Sequence, residues 1–283
     1  MSNPIHLVRK LHTMIHRDLS DRMGLWNRLA GKIKGFISEH SRAVGPLRVL
    51  DLGCGAPYWA SVAFQAWGWD VTGVDIEDAR PRPAYLRMAS SMGVAFAVKR
   101  FLKDKLVFPR MYDEWIKSLG VSVDYRKIDI RQIGGRRLPF DDATFDFIHS
   151  HVVLEHVEDV PALLDDVNRV LKPDGVTLHM IHLFPSIRGG HTCRSEDCLT
   201  TTKDEVRPWD HLRGGPSLAG LNKLRLADYR KLFDQRFEVM DWVPSTGGKE
   251  LLTEEIKAEL PDYTEEDLLT VTVTVGARKK QAV

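Results

Sequence analysis

The sequence predicts an α/β fold built on a mostly parallel sheet with helices on both faces. Three observations predict it. Short apolar runs recur at 47–52, 70–74, 121–125, 144–149, 176–183, 237–243 and 268–275. Helical patterns lie between several of them, at 58–67, 161–171 and 226–233. Strands alternating with helices imply βαβ units. The first two runs also end in acids beside turns, where open α/β sheets hold their ligands.

Each element has its own signal. Residues 47–52 end in Asp51 and a glycine turn, and 58–67 follow with helical character. The second strand, 70–74, ends at Asp75. A third strand is expected at 121–125, ending near Asp129, and a fourth at 144–149. Asp159 can cap the helix 161–171, which stops at Lys172-Pro173-Asp174-Gly175. A fifth strand is expected at 176–183. A helix at 226–233 and a strand at 237–243 come next, and 268–275 alternates clearly as a last strand.

Three stretches fall outside this rhythm: 1–45, about 78–120 and about 184–224. Structureless loops that long are uncommon in a compact domain. The organisation expected is an N-terminal helical cap over 1–45 and one domain over 46–283, with insertions at about 78–120 and 184–224. Tyr112, Trp115, Ile116 and Leu119 suggest a helix in the first insertion, and Gly, Ser, Thr and His in the second suggest a loop. Ile5, Val8, Leu11, Ile15 and Leu19 have helical spacing among basic residues. They read as a helix packed on the domain. The same pattern also fits a transit peptide or a membrane-surface anchor.

Composition narrows the function. Forty Lys and Arg against thirty-nine Asp and Glu leave a formal charge of +1. That balance gives no electrostatic footprint for nucleic acid or an anionic membrane. Three cysteines make no disulfide framework, so a reducing, cytoplasmic setting is expected. No apolar run approaches the ~18 residues that span a bilayer. The oligomeric state leaves no signature.

The motif that carries chemistry is Val49-Leu50-Asp51-Leu52-Gly53-Cys54-Gly55. Glycines let the backbone approach a ligand and adopt positive φ. A helix follows, with unpaired amides at its start. Twenty-four positions after Asp51, Asp75 ends the second strand, where a carboxylate can accept both hydroxyls of a ribose. The third glycine of a dehydrogenase fingerprint is missing, and no Gly-Lys-Ser/Thr follows to make a P-loop.

These residues resemble the class I S-adenosylmethionine-dependent methyltransferases, type 11-like. Residues 49–55 match the first motif of that family and 71–76 the second. Lys127-Ile128-Asp129-Ile130 resembles the third. Leu138-Pro139-Phe140-Asp141-Asp142, Val153-Leu154-Glu155-His156-Val157 and Leu171-Lys172-Pro173-Asp174-Gly175 resemble the rest, over about 47–182. Pro57 stands where members usually carry glycine, and 78–121 is longer than the norm.

The resemblance implies a Rossmann-like, seven-stranded, mostly parallel sheet with inserted lid segments. It implies S-adenosyl-L-methionine as cofactor and gives expected roles. Asp51, with the backbone of Gly53, Cys54 and Gly55, holds the amino acid end. Asp75 holds the ribose and Ile76 packs on adenine. Asp129 takes the adenine amine, with Ile130 beside it. His149, Ser150 and His151 lie beneath the sulfonium.

A small-molecule acceptor is expected, through a hydroxyl oxygen of a sugar or other metabolite. A hydroxyl needs a base of near-neutral pKa or a metal. His182, His191 and His211 are the base candidates, although each alone also reads as a hydrogen-bonded loop histidine. His191, Cys193 and Cys198 fit no standard zinc spacing, and no metal is expected. An RNA or protein methyltransferase is the competing enzyme class. A non-catalytic domain that binds the cofactor as a regulatory ligand is the third reading.

Overall fold

A computed structural model describes residues 23–55, 58–77, 89, 93–94, 97–98, 101, 108–134, 137–191, 207–215, 217–218 and 220–280. The expected helix at 5–19, Pro57, Cys193 and Cys198 lie outside the described residues.

The helix α1 spans 23–40, and Trp26, Ala30, Ile33 and Phe36 make its buried stripe. Then come β1 (Arg48–Leu52), α2 (Trp59–Ala66), β2 (Asp70–Asp75), α3 (Phe108–Leu119), β3 (Ile128–Gln132) and β4 (Phe145–His151). They are followed by α4 (Val160–Val170), β5 (Leu171–His182), α5 (Leu226–Arg236), β6 (Phe237–Thr246), α6 (Glu254–Glu259), α7 (Glu265–Leu269) and β7 (Thr270–Lys279). The strands form one sheet in the order β3-β2-β1-β4-β5-β7-β6. The pairs β1·β4, β2·β3 and β4·β5 are parallel, and β7 runs antiparallel to both β5 and β6.

The chain forms two compact units: Met1–Ser41 with Cys54–Gln132, and Arg42–Gly53 with Ile133–Val283. The first is held by aromatic rings. Trp26 stacks on Trp59 and Tyr112 with centroids 6.3 and 5.9 Å away, and tilts against Trp115 at 5.1 Å. Trp115 donates its Nε1–H to Asn27 Oδ1 at 2.6 Å. Tyr112, Trp115 and Ile116 form the buried face of the helix expected in the first insertion.

The core of the second unit lies on β4 and β5, whose central residues are buried on both faces. Asp159 caps α4 by accepting from the Ala162 amide at 3.0 Å. The cap leaves Arg169 in the last turn. Its guanidinium donates to the carbonyls of Phe140 and Leu138 and to the carboxylates of Asp142 and Asp166. The Leu138–Asp142 motif is therefore a bracket fastened to α4.

Three strand expectations shift. The fifth strand begins at Leu171, not at 176, and takes in the expected stop at Lys172–Gly175, with Leu171 paired to Phe145 across a register shift. The third strand begins at Ile128, because Asp124 accepts from the Arg126 amide and caps a 3-10 turn over Tyr125–Lys127. The last strand begins at Thr270. A capping box between Thr264 and Asp267 makes residues Glu265–Leu269 helical first.

Candidate functional site

In the first unit, the turn after β1 is fastened by main chain. The Cys54 amide donates to Val74 O at 3.1 Å. The Gly55 amide donates to Asp75 Oδ2 at 2.8 Å, and the Glu77 amide to Oδ1 at 2.8 Å. Each carboxylate oxygen so keeps a second lone pair, and the group is held in one orientation. Beside it Ile76 is 73% exposed, an unusual setting for isoleucine.

The other first-unit candidates sit differently. A Cβ on Gly73 would lie 2.5 Å from Ile130 Cδ1 and 3.1 Å from Cys54 Sγ. The side chains of Cys54 and Ile130 thus pack over a glycine that must stay bare. Asp129 is the second residue of β3, exposed, and accepts from Arg131 Nε at 2.7 Å. Gln132 ends that strand in register with Asp75 and donates to Ile76 O at 3.2 Å.

In the second unit, Asp51 and His149 are register partners on β1 and β4. The ring Nδ1 of His149 lies 3.1 Å from Asp51 Oδ1, with both side chains buried. Gly53, at φ +66°, leaves no room for a Cβ, which would fall 2.4 Å from Val153 Cγ2.

Alternation along β4 sends Ser150 to the face opposite His149 and His151. Its hydroxyl is 2.6 Å from His179 Nδ1, and His179 Nε2 is 2.6 Å from Thr177 Oγ1. Thr177 gives its one proton to Ile148 O. His179 must then donate from Nε2 and accept at Nδ1 from Ser150. The chain requires a neutral imidazole, and burial pushes the His179 pKa down to about 3. Ser150 is thus committed to the core, apart from the other candidates.

A second cluster involves three separate segments. Glu155, in a 3-10 turn over Leu154–His156, is 2% exposed. Asn222 staples that turn, donating to Glu155 O from its amide and to Leu154 O and Val157 O from its side chain. His182 ends β5. His191 closes the loop after it at φ +52°. The ligand atoms of Glu155, His182 and His191 all lie within 4.8 Å of one another. The rings of His182 and His156 stand 5.3 and 5.0 Å from that of His191.

Burial moves these groups towards neutrality. It raises Glu155 to about 7, offset in part by the amides of Glu155 and His182. It lowers His182 and His191 to about 4, helped by the neighbouring His191 and Arg188 for the one and by His156 and His211 for the other. His151 also falls to about 4, chiefly by burial. A carboxyl poised near neutrality beside neutral imidazoles can accept or pass on a proton.

His211 is placed otherwise. Its Nε2 lies 2.8 Å from Phe184 O and its ring stands edge-on to Phe184 at 5.1 Å. The neighbouring Trp209 is buried and donates to Leu268 O at 3.1 Å, while Arg213 pairs with Glu259 at 2.6 Å.

A family model described as a methyltransferase domain matches residues 17–236. The chain belongs to that family. An uncharacterized protein, YafE of Escherichia coli (strain K12), is 32% identical over 136 residues, which are 47% of this chain and 63% of that protein. The match thus spans less than two thirds of this curated relative.

Two solved structures are similar at lower identity. An S-adenosylmethionine dependent methyltransferase from Mesorhizobium loti is 18% identical, with 86% of this chain and 95% of that one covered, at TM-score 0.47. A geranyl diphosphate C-methyltransferase from Streptomyces coelicolor A3(2) is 17% identical, with 90% and 80% covered, also at TM-score 0.47. Both are too distant for their chemistry to carry over.

Within this methyltransferase, the candidates therefore fall into three sets. Gly55 and Asp75 are bonded to each other, as are Asp51 and His149. His182 and His191 meet at a residue not among the sequence candidates, Glu155. Asp129, Ser150 and His211 are each engaged by a different neighbour. Glu155 and His156 stood inside a family signature, but no spacing ties residues 155, 182 and 191 together.

Proposed function

We propose that this methyltransferase binds S-adenosyl-L-methionine and methylates a hydroxyl oxygen of a small molecule. The observation that carries the reading is Asp75, whose oxygens are each fixed by one amide and keep a lone pair for a ribose diol. Exposed Ile76 suits an adenine face, and the glycine turn suits close main-chain approach. The cofactor would supply an electrophilic methyl on a sulfonium.

The second unit supplies residues that can position and deprotonate an acceptor. The buried Asp51–His149 pair supplies a polar floor in the second unit. Glu155, His182 and His191 offer the acceptor's proton a destination as the new bond forms, with the sulfur keeping the electron pair of the old one. The loop that carries His191 would hold the acceptor and exclude water. A near-neutral overall charge favours a small acceptor over RNA.

The test is turnover to S-adenosylhomocysteine with fractionated extract. Turnover with the metabolite fraction, and none with RNA or protein fractions, is expected. Turnover only with RNA or protein would replace the acceptor class. Tight cofactor binding with no turnover in any fraction would make the chain a regulatory binding domain.

A further inference from the structure

We propose that Glu155, His182 and His191 bind a divalent transition-metal ion of the zinc type. Two independent observations point there. The first is convergence: a turn after β4, the end of β5 and a loop bring three donors within 4.8 Å. The second is an unmet need. Among the described residues, neither oxygen of Glu155 nor Nδ1 of His182 completes a hydrogen bond; the amides of Glu155 and His182 only favour the carboxylate's charge from nearby, and Glu155 is 2% exposed. Buried polar groups are almost always satisfied, and leaving them unpaired is costly. A cation between them answers all three at once.

The donor set selects the ion. Calcium and magnesium take oxygen ligands, whereas two imidazoles and one carboxylate suit zinc and its transition-metal neighbours. Bonds near 2.1 Å in a tetrahedral site put donors roughly 3.4 Å apart. The cluster must therefore close from its present spacing, a movement that ring rotations can supply. The carboxylate end is pinned by Asn222. The His191 end is pinned by its own amide on Arg188 O at 3.1 Å and by Leu218 N on Gly190 O at 2.8 Å. His191 also holds a positive φ, a strain that persists where surrounding structure enforces it.

Three protein donors leave a fourth position open, as catalytic rather than structural zinc sites do. An acceptor hydroxyl bound there would lose its proton more readily, to His156, whose ring stands 5.0 Å from that of His191, because the lone pairs of the three ligands would be held by the ion. That role rests on the methyl-transfer reading above, whereas metal binding rests on the cluster alone.

The experiment uses the full chain, stripped with a chelator and titrated with Zn²⁺ by calorimetry. One tight equivalent is expected. Glu155→Gln keeps the shape of the side chain, and its folding is checked by thermal melt. It and His191→Ala should each weaken that equivalent by roughly 10- to 100-fold or more. S-adenosylhomocysteine affinity, read on the same samples, should not change. No tight equivalent in the wild type overturns the proposal. Undiminished binding in both variants also overturns it, as adventitious zinc on other histidines. If the variants do not fold, Co²⁺ added to the wild type decides. An intense visible band of tetrahedral nitrogen and oxygen ligation supports the site, and a pale octahedral spectrum overturns it. Because the nucleoside titration is separate, loss of the metal site and loss of the cofactor reading give different results.

Discussion

In the first unit, the candidate cofactor contacts are made by main chain: two amides orient Asp75, and a glycine turn runs past it. In the second, the candidate chemistry is made by side chains from residues 155, 182 and 191, gathered by three different elements. The difference lies in what each arrangement asks of the sequence. A main-chain clasp needs glycines and an acid at short, fixed spacing. A side-chain cluster needs only that three strand ends and loops meet, and any spacing that folds will serve.

If the units divide the labour this way, substitutions should separate two readouts. The largest effect belongs to the second unit. His182→Ala and His191→Ala should each lower turnover by roughly 10²- to 10⁴-fold with S-adenosylhomocysteine affinity unchanged. Steady-state rates beside calorimetry will show it. A matching loss of nucleoside affinity would erase the distinction.

Next comes the first unit. Asp75→Ala should weaken S-adenosylhomocysteine by about 1.5–3 kcal/mol, the worth of hydrogen bonds to a charged group. The Gly55 and Glu77 amides also lose their acceptor, so the turn loosens as well.

The third effect is pH-dependent and sharpens the picture of the second unit. His179 titrates near 3 when folded, against 6.5 as its ordinary value. Above pH 6.5 both states are neutral and it contributes nothing to the balance. Below that, the unfolded chain binds a proton that the folded chain refuses, and stability falls as the pH drops towards 3. The loss is about 1.4 kcal/mol per pH unit, or about 2 kcal/mol by pH 5. Urea melts between pH 8 and 5 should show this fall, and His179→Gln should flatten it by about one proton. His151, His182 and His191 shift in the same direction and should leave a residual slope.

The smallest effect tests the aromatic packing of the first unit. Trp115→Phe removes the 2.6 Å hydrogen bond to Asn27 and should cost about 1 kcal/mol in a denaturant melt. Nucleoside affinity should follow only if the rings support the turn.

The sequence was most legible where local rules decide. Asp159 caps α4 as its position before Val160-Pro161 suggests, and the strands at 47–52, 70–74 and 144–149 appear within a few residues. The Asp51-to-Gly55 motif and Asp75 could be read for the same reason: the clasp is short-range in pattern. The sequence is less legible where side-chain competition decides. Asp124 captured the Arg126 amide and displaced the third strand to Ile128, which leaves Asp129 early in β3 and paired with Arg131. His211 looked equal to His182 and His191, because nothing local to it announces the carbonyl of Phe184. Glu155 sits inside a signature in which only Leu154 is buried beside it, and no local spacing sets it apart. Its burial and its convergence with His182 and His191 mark it in the structure.

The central claim is that Asp75, set by the Gly55 and Glu77 amides, grips the nucleoside. Calorimetric titration of S-adenosylhomocysteine into the wild type and Asp75→Ala tests it most directly. A wild-type isotherm with one site, weakened at least about tenfold in the variant, is the expected result. Equal isotherms for the two proteins, or no heat with either, would contradict it.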